Sequence, residues 1–266
     1  MVTTWVFQLN SGKHRIFPVH FAPGKKLFHI VVKLSDAPGS YSSVLDLLRT
    51  KVNLVGTSTY ALDDGTAMFS GFSEALSPTT TSKELRDLIL RSKAAIEASV
   101  AEGVDGLLVD TFHTGFQVGN EDYILQTRAG VAHMFDHVAK ILGSGGEALL
   151  YEEGMAVSQW NAEAMVKLLG VDRVRAQIGK LNKFMTAQGW GVIDLKEGTR
   201  KGEFTVDVTD CFECSGKGTS RPGCSFMRGY LTGAAVASYG HEYDSRETKC
   251  VLKGAKICQF SLVPRK

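Results

Sequence analysis

The stretch SRETKCVLKGAKICQF, residues 245–260, places one carboxylate and two thiols close together near the end of the chain. Glu247 lies three residues before Cys250, and Cys258 follows eight residues later, in a chain that contains only five cysteines. The segment between the two thiols predicts a β-hairpin that turns near Lys253 and Gly254. Taken alone, the stretch is compatible with a metal site, a redox pair or a catalytic centre.

All five cysteines lie within residues 211–258, and such clustering is hard to explain by core packing alone. Zinc favours four ligands, mostly thiolates and imidazoles with an occasional carboxylate. One candidate set consists of the C-x-x-C pair, Cys211 and Cys214, together with two of the other three cysteines. The second set leaves that pair outside and consists of Cys224, Glu247, Cys250 and Cys258. Residue types and spacing leave both sets open.

The overall composition is that of a globular protein without a strong charge. The 266 residues are 44% hydrophobic and 22% charged, with a formal net charge of +2. This balance gives no electrostatic reason to expect direct binding to nucleic acid or to an anionic membrane. No apolar run reaches the ~18–20 residues that span a bilayer, and the N-terminus lacks a signal-peptide pattern. We therefore expect a cytoplasmic protein without membrane insertion, in which clustered cysteines favour metal binding or catalysis over disulfides.

The first half of the chain alternates between strand-like and helix-like patterns of apolar residues. The predicted elements are, in order, strand 26–34, helix 37–51, strands 53–62 and 66–75, a capped helix within 76–100, and strand 104–112. A tight turn at residues 63–65 joins the second and third strands. This order, βαββαβ, packs two helices on one face of a four-stranded antiparallel sheet.

The loop after the first predicted strand has the pattern Asp-x-Pro-Gly, with Asp36, Pro38 and Gly39. Pro38 favours entry into the helix, Gly39 allows a ligand to approach the backbone, and the helix N-terminus offers free N–H groups to a carboxylate. With the βαββαβ order, this loop resembles the ACT domain over residues 26–112. The resemblance implies a ferredoxin-like regulatory domain that binds an amino acid or pairs subunits; a plain strand-to-helix turn is the alternative.

The second half combines helices with two predicted hairpins. We expect helices over 125–142, 149–170 and 171–191, strands over 190–199 and 201–210, a helix over 224–240 and the final hairpin. The helix over 224–240 is rich in small residues that allow close packing against a neighbour. Aromatic residues of this half are candidates to line an apolar cavity, although most aromatics at helical spacing are core residues. The candidates are Trp160, Phe226 and Tyr230.

Cys224, the sequence GYLTG at 229–233 and the pattern E-x-x-C-x₇-C resemble the 4-vinyl reductase domain, in particular the zinc-containing sensor domains of phenol- and xylene-responsive activators. The resemblance spans about residues 120–264. It implies that Cys224, Glu247, Cys250 and Cys258 hold zinc next to an apolar ligand pocket. It assigns no ligand role to the C-x-x-C pair, and it leaves iron–sulfur ligation by another set of four open.

Together the two resemblances imply an α+β protein, in which an ACT-like ferredoxin-like domain precedes a mixed α/β 4-vinyl reductase domain. The expected boundaries are an extension 1–25, an ACT-like domain 26–112, a linker 113–124 and a zinc and ligand-binding domain 125–266. Three thiolates and one carboxylate give a zinc site a formal charge of −2, which nearby cations could offset. The candidate cations are Arg221, Arg228, Arg246, Lys249 and Lys256. Four protein ligands leave no open position, so we expect structural zinc.

These expectations favour a non-catalytic sensor or adaptor that binds a small apolar or aromatic molecule. An enzyme that reduces a vinyl group on a tetrapyrrole is the first alternative, although the chain has no Gly-x-Gly-x-x-Gly motif and no flavin fingerprint. A purely structural subunit is the second, because the fold also resembles subunits of vesicle-tethering complexes. Both resemblances are to dimer-forming modules, so we expect a homodimer.

Overall fold

In the computed structural model, the chain forms two compact units, Met1–Thr114 and Gly115–Lys266. The structure describes residues 19–113, 115–118, 121–169, 183, 185–215 and 221–265, with the backbone alone at 118, 121 and 165–169. Most of the predicted extension 1–25 and most of the predicted helix 171–191 lie outside these residues. Among the helices of the described ranges, none is long and apolar enough to cross a membrane.

The first unit contains a four-stranded antiparallel sheet with two short helices. Its elements are β1 (Val19–Phe21), β2 (Leu27–Ser35), α1 (Ser40–Leu48), β3 (Val52–Ala61), β4 (Thr66–Ala75), α2 (Ser82–Ile89), β5 (Ala95–Glu102) and β6 (Leu107–Val109). The strand order of the sheet is β3-β4-β2-β5, and β1 pairs separately with β6. Thr81 caps helix α2, since its hydroxyl accepts the Glu84 N–H at 3.1 Å, as expected for a capped helix.

Two predicted elements of the first unit are wrong. The helix expected within 76–100 ends at Ile89, and the following turn is closed by the Ser92 N–H, which donates to the Ile89 carbonyl at 3.0 Å. The residues after this turn form β5, which supplies the fourth strand of the sheet by pairing with β2. Ile96, in this strand, is 56% exposed. The segment 104–112 contributes only β6, which pairs with β1.

Strand β2 is buried on both faces and divides the first unit into two cores. Alternate residues of the strand, beginning with Phe28 and Ile30, pack with buried residues of α1 and α2. On the opposite face, Leu27 packs with Phe72 and Leu108 in a smaller cluster. The face without helices is therefore partly covered near the start of β2, since Leu108 belongs to the short strand β6.

In its described residues, the second unit combines an antiparallel sheet with three long helices. Its elements are β7 (Phe116–Val118), β8 (Glu121–Tyr123), α3 (Arg128–Leu142), α4 (Ser144–Leu169), β9 (Val192–Glu197), β10 (Phe204–Thr209), α5 (Ser225–Tyr239), β11 (Tyr243–Lys249) and β12 (Cys258–Pro264). The sheet order is β11-β12-β10-β9, and β7 pairs with β8. Short 3₁₀ turns follow β10 and β11, at Phe212–Cys214 and Val251–Lys253.

Helices α4 and α5 approach each other so closely that their backbones touch. A Cβ atom on Gly229 would collide with the Tyr151 carbonyl oxygen, and one on Gly154 would collide with the Phe226 carbonyl oxygen. The small residues of α5 predict this close packing, because only glycine leaves room for backbone at these positions. This contact holds α5 against α4, and eleven of the fifteen residues of α5 are buried.

Replacing Gly229 by alanine is expected to destabilise the second unit by about 2 kcal/mol or more, because the rigid Tyr151 backbone must move to accept the methyl group. Gly145 is the matched control, since a Cβ there meets nothing within 4 Å. Gly145→Ala should leave stability unchanged or raise it slightly. Urea unfolding followed by circular dichroism measures both variants, and equal stabilities would contradict the close contact.

Candidate functional site

Five cysteines converge at the start of α5 in the second unit. Cys224 immediately precedes the helix, Cys250 follows β11, and Cys258 is the first residue of β12. Cys211 precedes the 3₁₀ turn after β10, and Cys214 is the last residue of that turn. All five thiols are free, and four of them are buried, with Cys214 half-buried. The hairpin β11–β12, the end of β10 and the start of α5 therefore meet at a cluster of sulfur atoms.

Both ligand sets considered from the sequence are brought together. The ligand atoms of Cys224, Glu247, Cys250 and Cys258 lie within 4.8 Å of one another, and so do those of Cys211, Cys214, Cys224 and Cys258. A tetrahedral zinc ion with Zn–S bonds near 2.3 Å requires sulfur atoms about 3.8 Å apart. The Cys224 sulfur lies 3.8 Å from that of Cys250 and 3.7 Å from that of Cys258. These distances fit the set that contains Glu247 and Cys250.

The Cys214 sulfur lies closer to its neighbours than a shared zinc ion would place it. It is 3.1 Å from the Cys224 sulfur and 3.4 Å from the Cys258 sulfur. Hydrogen bonds from the surrounding thiols, Cys211 first, lower the pKa of Cys258, while the same contacts raise the pKa of Cys214 and Cys224. The cluster could hold a metal ion that replaces the thiol protons.

The Glu247 carboxylate reaches this cluster from β11. Its two oxygens accept the Cys224 backbone N–H at 3.2 and 3.3 Å. Burial raises the pKa of the Glu247 carboxyl. Gly223 provides the space for this approach, because a Cβ there would collide with the carboxylate. Glu247 therefore contacts the backbone N–H at the helix start and lies within reach of the same metal position as the thiols.

Two further carboxylates stabilise the beginning of α5, and the sequence reasoning assigned no such role to them. Glu213 accepts the backbone N–H groups of Phe226 and Met227 at 3.2 and 2.8 Å. Glu147, from α4, accepts the Ser225 hydroxyl. Because side chains distant in sequence can supply such caps, no local pattern indicates them. The positive end of the helix dipole favours three carboxylates at this position.

Arg221 pairs with these carboxylates. Its buried guanidinium contacts Glu213 and lies 3.1 Å from Glu147. Burial raises the pKa of Glu213 to about 7, against the lowering influence of Arg221 and the two N–H donors. Among the other expected cations, the Arg228 guanidinium lies 4.5 Å from the Tyr151 ring, and Arg246, Lys249 and Lys256 are exposed. The offset of a metal-site charge by these cations stays a prediction.

An aromatic cluster lies next along α5. Tyr230 is fully buried, its hydroxyl accepts a hydrogen bond from Asn161 at 3.0 Å, and burial raises the pKa of Tyr230 to about 12. Phe226 is buried with its ring centroid 5.8 Å from that of Trp190, which is half-buried. We call five residues the aromatic cluster: Phe135, Trp190, Phe212, Phe226 and Tyr230. The ring of Trp160, on α4, is outside this cluster and 65% exposed.

The Asp-x-Pro-Gly loop of the first unit is exposed at the start of α1. Gly39 has φ of +90°, and no side chain caps the helix at this position. Asp36, Pro38 and Gly39 are all exposed, so a ligand has access to the loop. A groove of about 440 Å³ lies between α1 and β3. Its lining residues are Tyr41, Leu45, Leu54, Val55, Gly56, Thr57, Thr59 and Phe69.

A comparison with known protein families matches residues 204–264 to the 4-vinyl reductase domain. This segment contains the five cysteines, Glu247 and α5, and it supports the C-terminal part of the resemblance expected from the sequence. The match does not extend to the first unit, so the ACT-like resemblance stays a prediction. No curated protein sequence matches the chain.

Several solved structures are similar to the chain at low sequence identity. The phenol-responsive sensory domain of the transcription activator PoxR, solved with phenol, has a TM-score of 0.45 at 14% identity and covers 86% of this chain and 91% of that one. A vinyl-4-reductase family protein from Methanocaldococcus jannaschii has a TM-score of 0.38 at 16% identity, over 55% and 85% of the two chains. Trafficking protein particle complex subunit 3 from Naegleria fowleri, covalently bound to palmitic acid, has a TM-score of 0.40 at 9% identity, over 52% and 95%.

Arg221→Met is expected to destabilise the second unit by about 3–5 kcal/mol, because it leaves the buried Glu213 without its cation. Arg265→Met is the matched control, since Arg265 also pairs with two carboxylates, Glu242 and Asp244, but on the surface. The control should change stability very little. Denaturant unfolding of the two variants tests this difference. Similar losses of stability in the two variants would mean that the pairing of Arg221 with Glu213 stabilises the protein no more than a surface ion pair does.

Cys250→Ser and Cys211→Ser distinguish the two candidate ligand sets. Both cysteines are buried to the same degree, so the exchange of sulfur for oxygen perturbs packing similarly. If the set with Glu247 binds the metal, Cys250→Ser should weaken zinc affinity by about tenfold or more and lower the melting temperature, while Cys211→Ser keeps its metal. Elemental analysis and thermal unfolding measure these effects. Metal loss in Cys211→Ser alone would assign the site to the set with the C-x-x-C pair.

Proposed function

We propose that this protein is a non-catalytic sensor or adaptor whose second unit binds a small apolar or aromatic molecule beside a structural zinc site. The observation that carries the proposal is the convergence of three thiols and one carboxylate at the start of α5, within 4.8 Å of one another. These four residues lie inside the segment that matches the 4-vinyl reductase domain. The proposed ligand is of the same chemical class as the phenol in the sensory domain of PoxR.

The zinc ion would be held by Cys224, Glu247, Cys250 and Cys258. When bound, it supplies a cross-link between the hairpin β11–β12 and the start of α5, and no catalytic step. The donor set fits zinc, because it offers soft thiolates at the required spacing and one hard carboxylate oxygen. Four protein ligands complete a tetrahedral shell, so the ion orders the structure and leaves no position for an activated water.

The ligand would bind at the aromatic cluster. The described side chains offer an almost entirely apolar surface with two polar groups, the Tyr230 hydroxyl and the Asn161 amide. Small-molecule sites usually have this composition, because apolar contact supplies affinity and a few polar groups fix orientation. Trp190 is half-buried, so the cluster reaches the surface of the unit on one side. A phenol-like molecule can pack against these rings and hydrogen-bond to Tyr230. Contact of the ligand with the exposed Trp160 stays a prediction.

The first unit would serve as an ACT-like regulatory domain, spanning residues 26–112, that binds an amino acid or pairs subunits. The strand order β3-β4-β2-β5 is the one expected for a βαββαβ ferredoxin-like domain, which supports this proposal. The uncapped start of α1 at Gly39 offers N–H groups to a carboxylate. Strand β3 is at the edge of the sheet and lines the apolar groove, so pairing there would give the expected homodimer. We place the protein in the cytoplasm, where its free thiols stay reduced.

Isothermal titration calorimetry with a panel of phenols and alkylbenzenes tests the proposed function. At least one member should bind, and Tyr230→Phe should weaken binding of the phenols about five- to tenfold, because one hydrogen bond contributes ~1 kcal/mol. Tyr243→Phe is the matched control, since it also removes a tyrosine hydroxyl from a buried residue. The Tyr243 ring packs against His241 and Tyr239 and does not belong to the aromatic cluster. Binding to that variant should be unchanged.

Two results would contradict the proposal. The first is the absence of any heat of binding across the whole panel with zinc-loaded protein. The second is a flavin or haem absorption spectrum in the purified protein, because a bound redox cofactor would favour the alternative of a vinyl reductase.

A further inference from the structure

The face of the first unit's sheet that carries no helix contains a buried histidine with an unusual environment. His29 is the third residue of β2 and is completely buried. Its Nε2 atom lies 2.8 Å from the hydroxyl of Ser70, which is also buried. Its Nδ1 atom has no hydrogen-bond partner among the described residues. A buried polar nitrogen without a partner costs about 1–3 kcal/mol, so its surroundings require an explanation.

The Nδ1 atom of His29 faces a carboxylate and a second imidazole. The nearest oxygen of Asp110 is 3.6 Å away, which is too long for a hydrogen bond. The other oxygen of Asp110 lies 2.8 Å from Nδ1 of His113. One ligand atom of each residue lies within 4.8 Å of those of the other two. Two imidazole nitrogens and one carboxylate oxygen therefore converge on a single position.

We propose that His29, Asp110 and His113 form a binding site for a divalent transition-metal ion, separate from the cysteine cluster. With its proton on Nε2 and donated to Ser70, His29 presents the Nδ1 lone pair to the metal. Metal-ligating histidines commonly donate their other N–H to a neighbouring group in this way, which fixes the ring orientation. Burial also lowers the pKa of His29 to about 4, which is consistent with a neutral imidazole.

The surroundings hold the three groups in place. The Asp110 carboxylate accepts the backbone N–H groups of Phe112 and His113 at 2.9 and 3.0 Å, which fixes its direction. The His29 ring packs edge-on against Phe72, with centroids 4.5 Å apart, and lies 5.2 Å from the Phe112 ring. His113 has 30% of its side chain exposed, which gives an ion access from solvent. The site thus has a rigid buried ligand, an oriented carboxylate and a solvent-accessible imidazole.

The ligand types decide the class of ion. Imidazole nitrogen favours zinc, cobalt, nickel or iron(II) over calcium and magnesium, which prefer oxygen. These three ligands include no sulfur, so the site differs chemically from the cysteine cluster, whose thiolates favour softer metal ions. Three protein ligands leave at least one coordination position open, so an exogenous molecule or water completes the shell. Such a site differs from the closed four-ligand set of the second unit.

The experiment uses the full chain loaded with one equivalent of zinc, which the softer thiol cluster binds first, followed by a calorimetric titration with Co²⁺. The wild-type protein should bind one further equivalent, with the weak absorption of nitrogen and oxygen ligands and no intense sulfur-to-metal band. His113→Ala and Asp110→Asn should each weaken this binding about tenfold or more. Both changes leave His29 in place, so they test ligation without emptying the core at that residue.

His20→Ala is the matched control, because His20 belongs to the same unit and pairs with Glu74 instead of the proposed site. It should bind Co²⁺ as the wild type does, and Cys250→Ser should also keep the additional equivalent. Binding of no additional Co²⁺ by the wild type, or an equal loss in His20→Ala, would overturn the proposal. Co²⁺-induced broadening of the His29 and His113 ring proton signals in NMR spectra, and its loss in Asp110→Asn, provides an independent measurement.

Discussion

The accumulation of negative charge at the start of α5 is the constraint on which the second unit depends. Three carboxylates, from Glu147, Glu213 and Glu247, reach the first residues of this helix together with the cysteine sulfurs. Backbone N–H groups and the helix dipole make this position a favourable one for negative charge. Arg221 supplies the buried cation that pairs with two of the carboxylates. The cysteine cluster thus lies at a helix start that already stabilises anions.

The candidate metal ligands could be predicted from the sequence, because a metal imposes residue types that few other constraints require. Glu247 and Cys250 stand at fixed spacing on one hairpin, and Cys224 precedes a helix of small residues. The carboxylates that cap α5 could not be predicted, because Glu147 reaches Ser225 from a different helix. Likewise, His29 shows no pattern in the sequence, since its neighbours at residues 110–113 are brought to it only by folding.

The first unit shows where a periodic pattern misleads. Leu85 and Ile89 are buried on α2, and the apolar residues continue beyond Ile89, so that a longer helix fits the sequence as well. Backbone hydrogen bonding decides that residues 95–102 form a strand, because their pairing with β2 provides partners for the N–H and C=O groups along one edge of β2. Segment 104–112 then has no place in the main sheet, and its strand β6 pairs with β1. Local propensity here gives way to the completion of a sheet.

The backbone contact between α4 and α5 has a consequence for communication inside the second unit. Where side chains separate two helices, their rotamers can absorb a small displacement; at Gly154 and Gly229 no such layer exists. A helix held in this way moves as a rigid rod. Cys224 stands at one end of the rod, and Tyr230 lies within two turns of it, about 9 Å along the axis. If the proposed metal and the proposed ligand both bind, the two binding events would be thermodynamically linked, each changing the affinity for the other by the same factor.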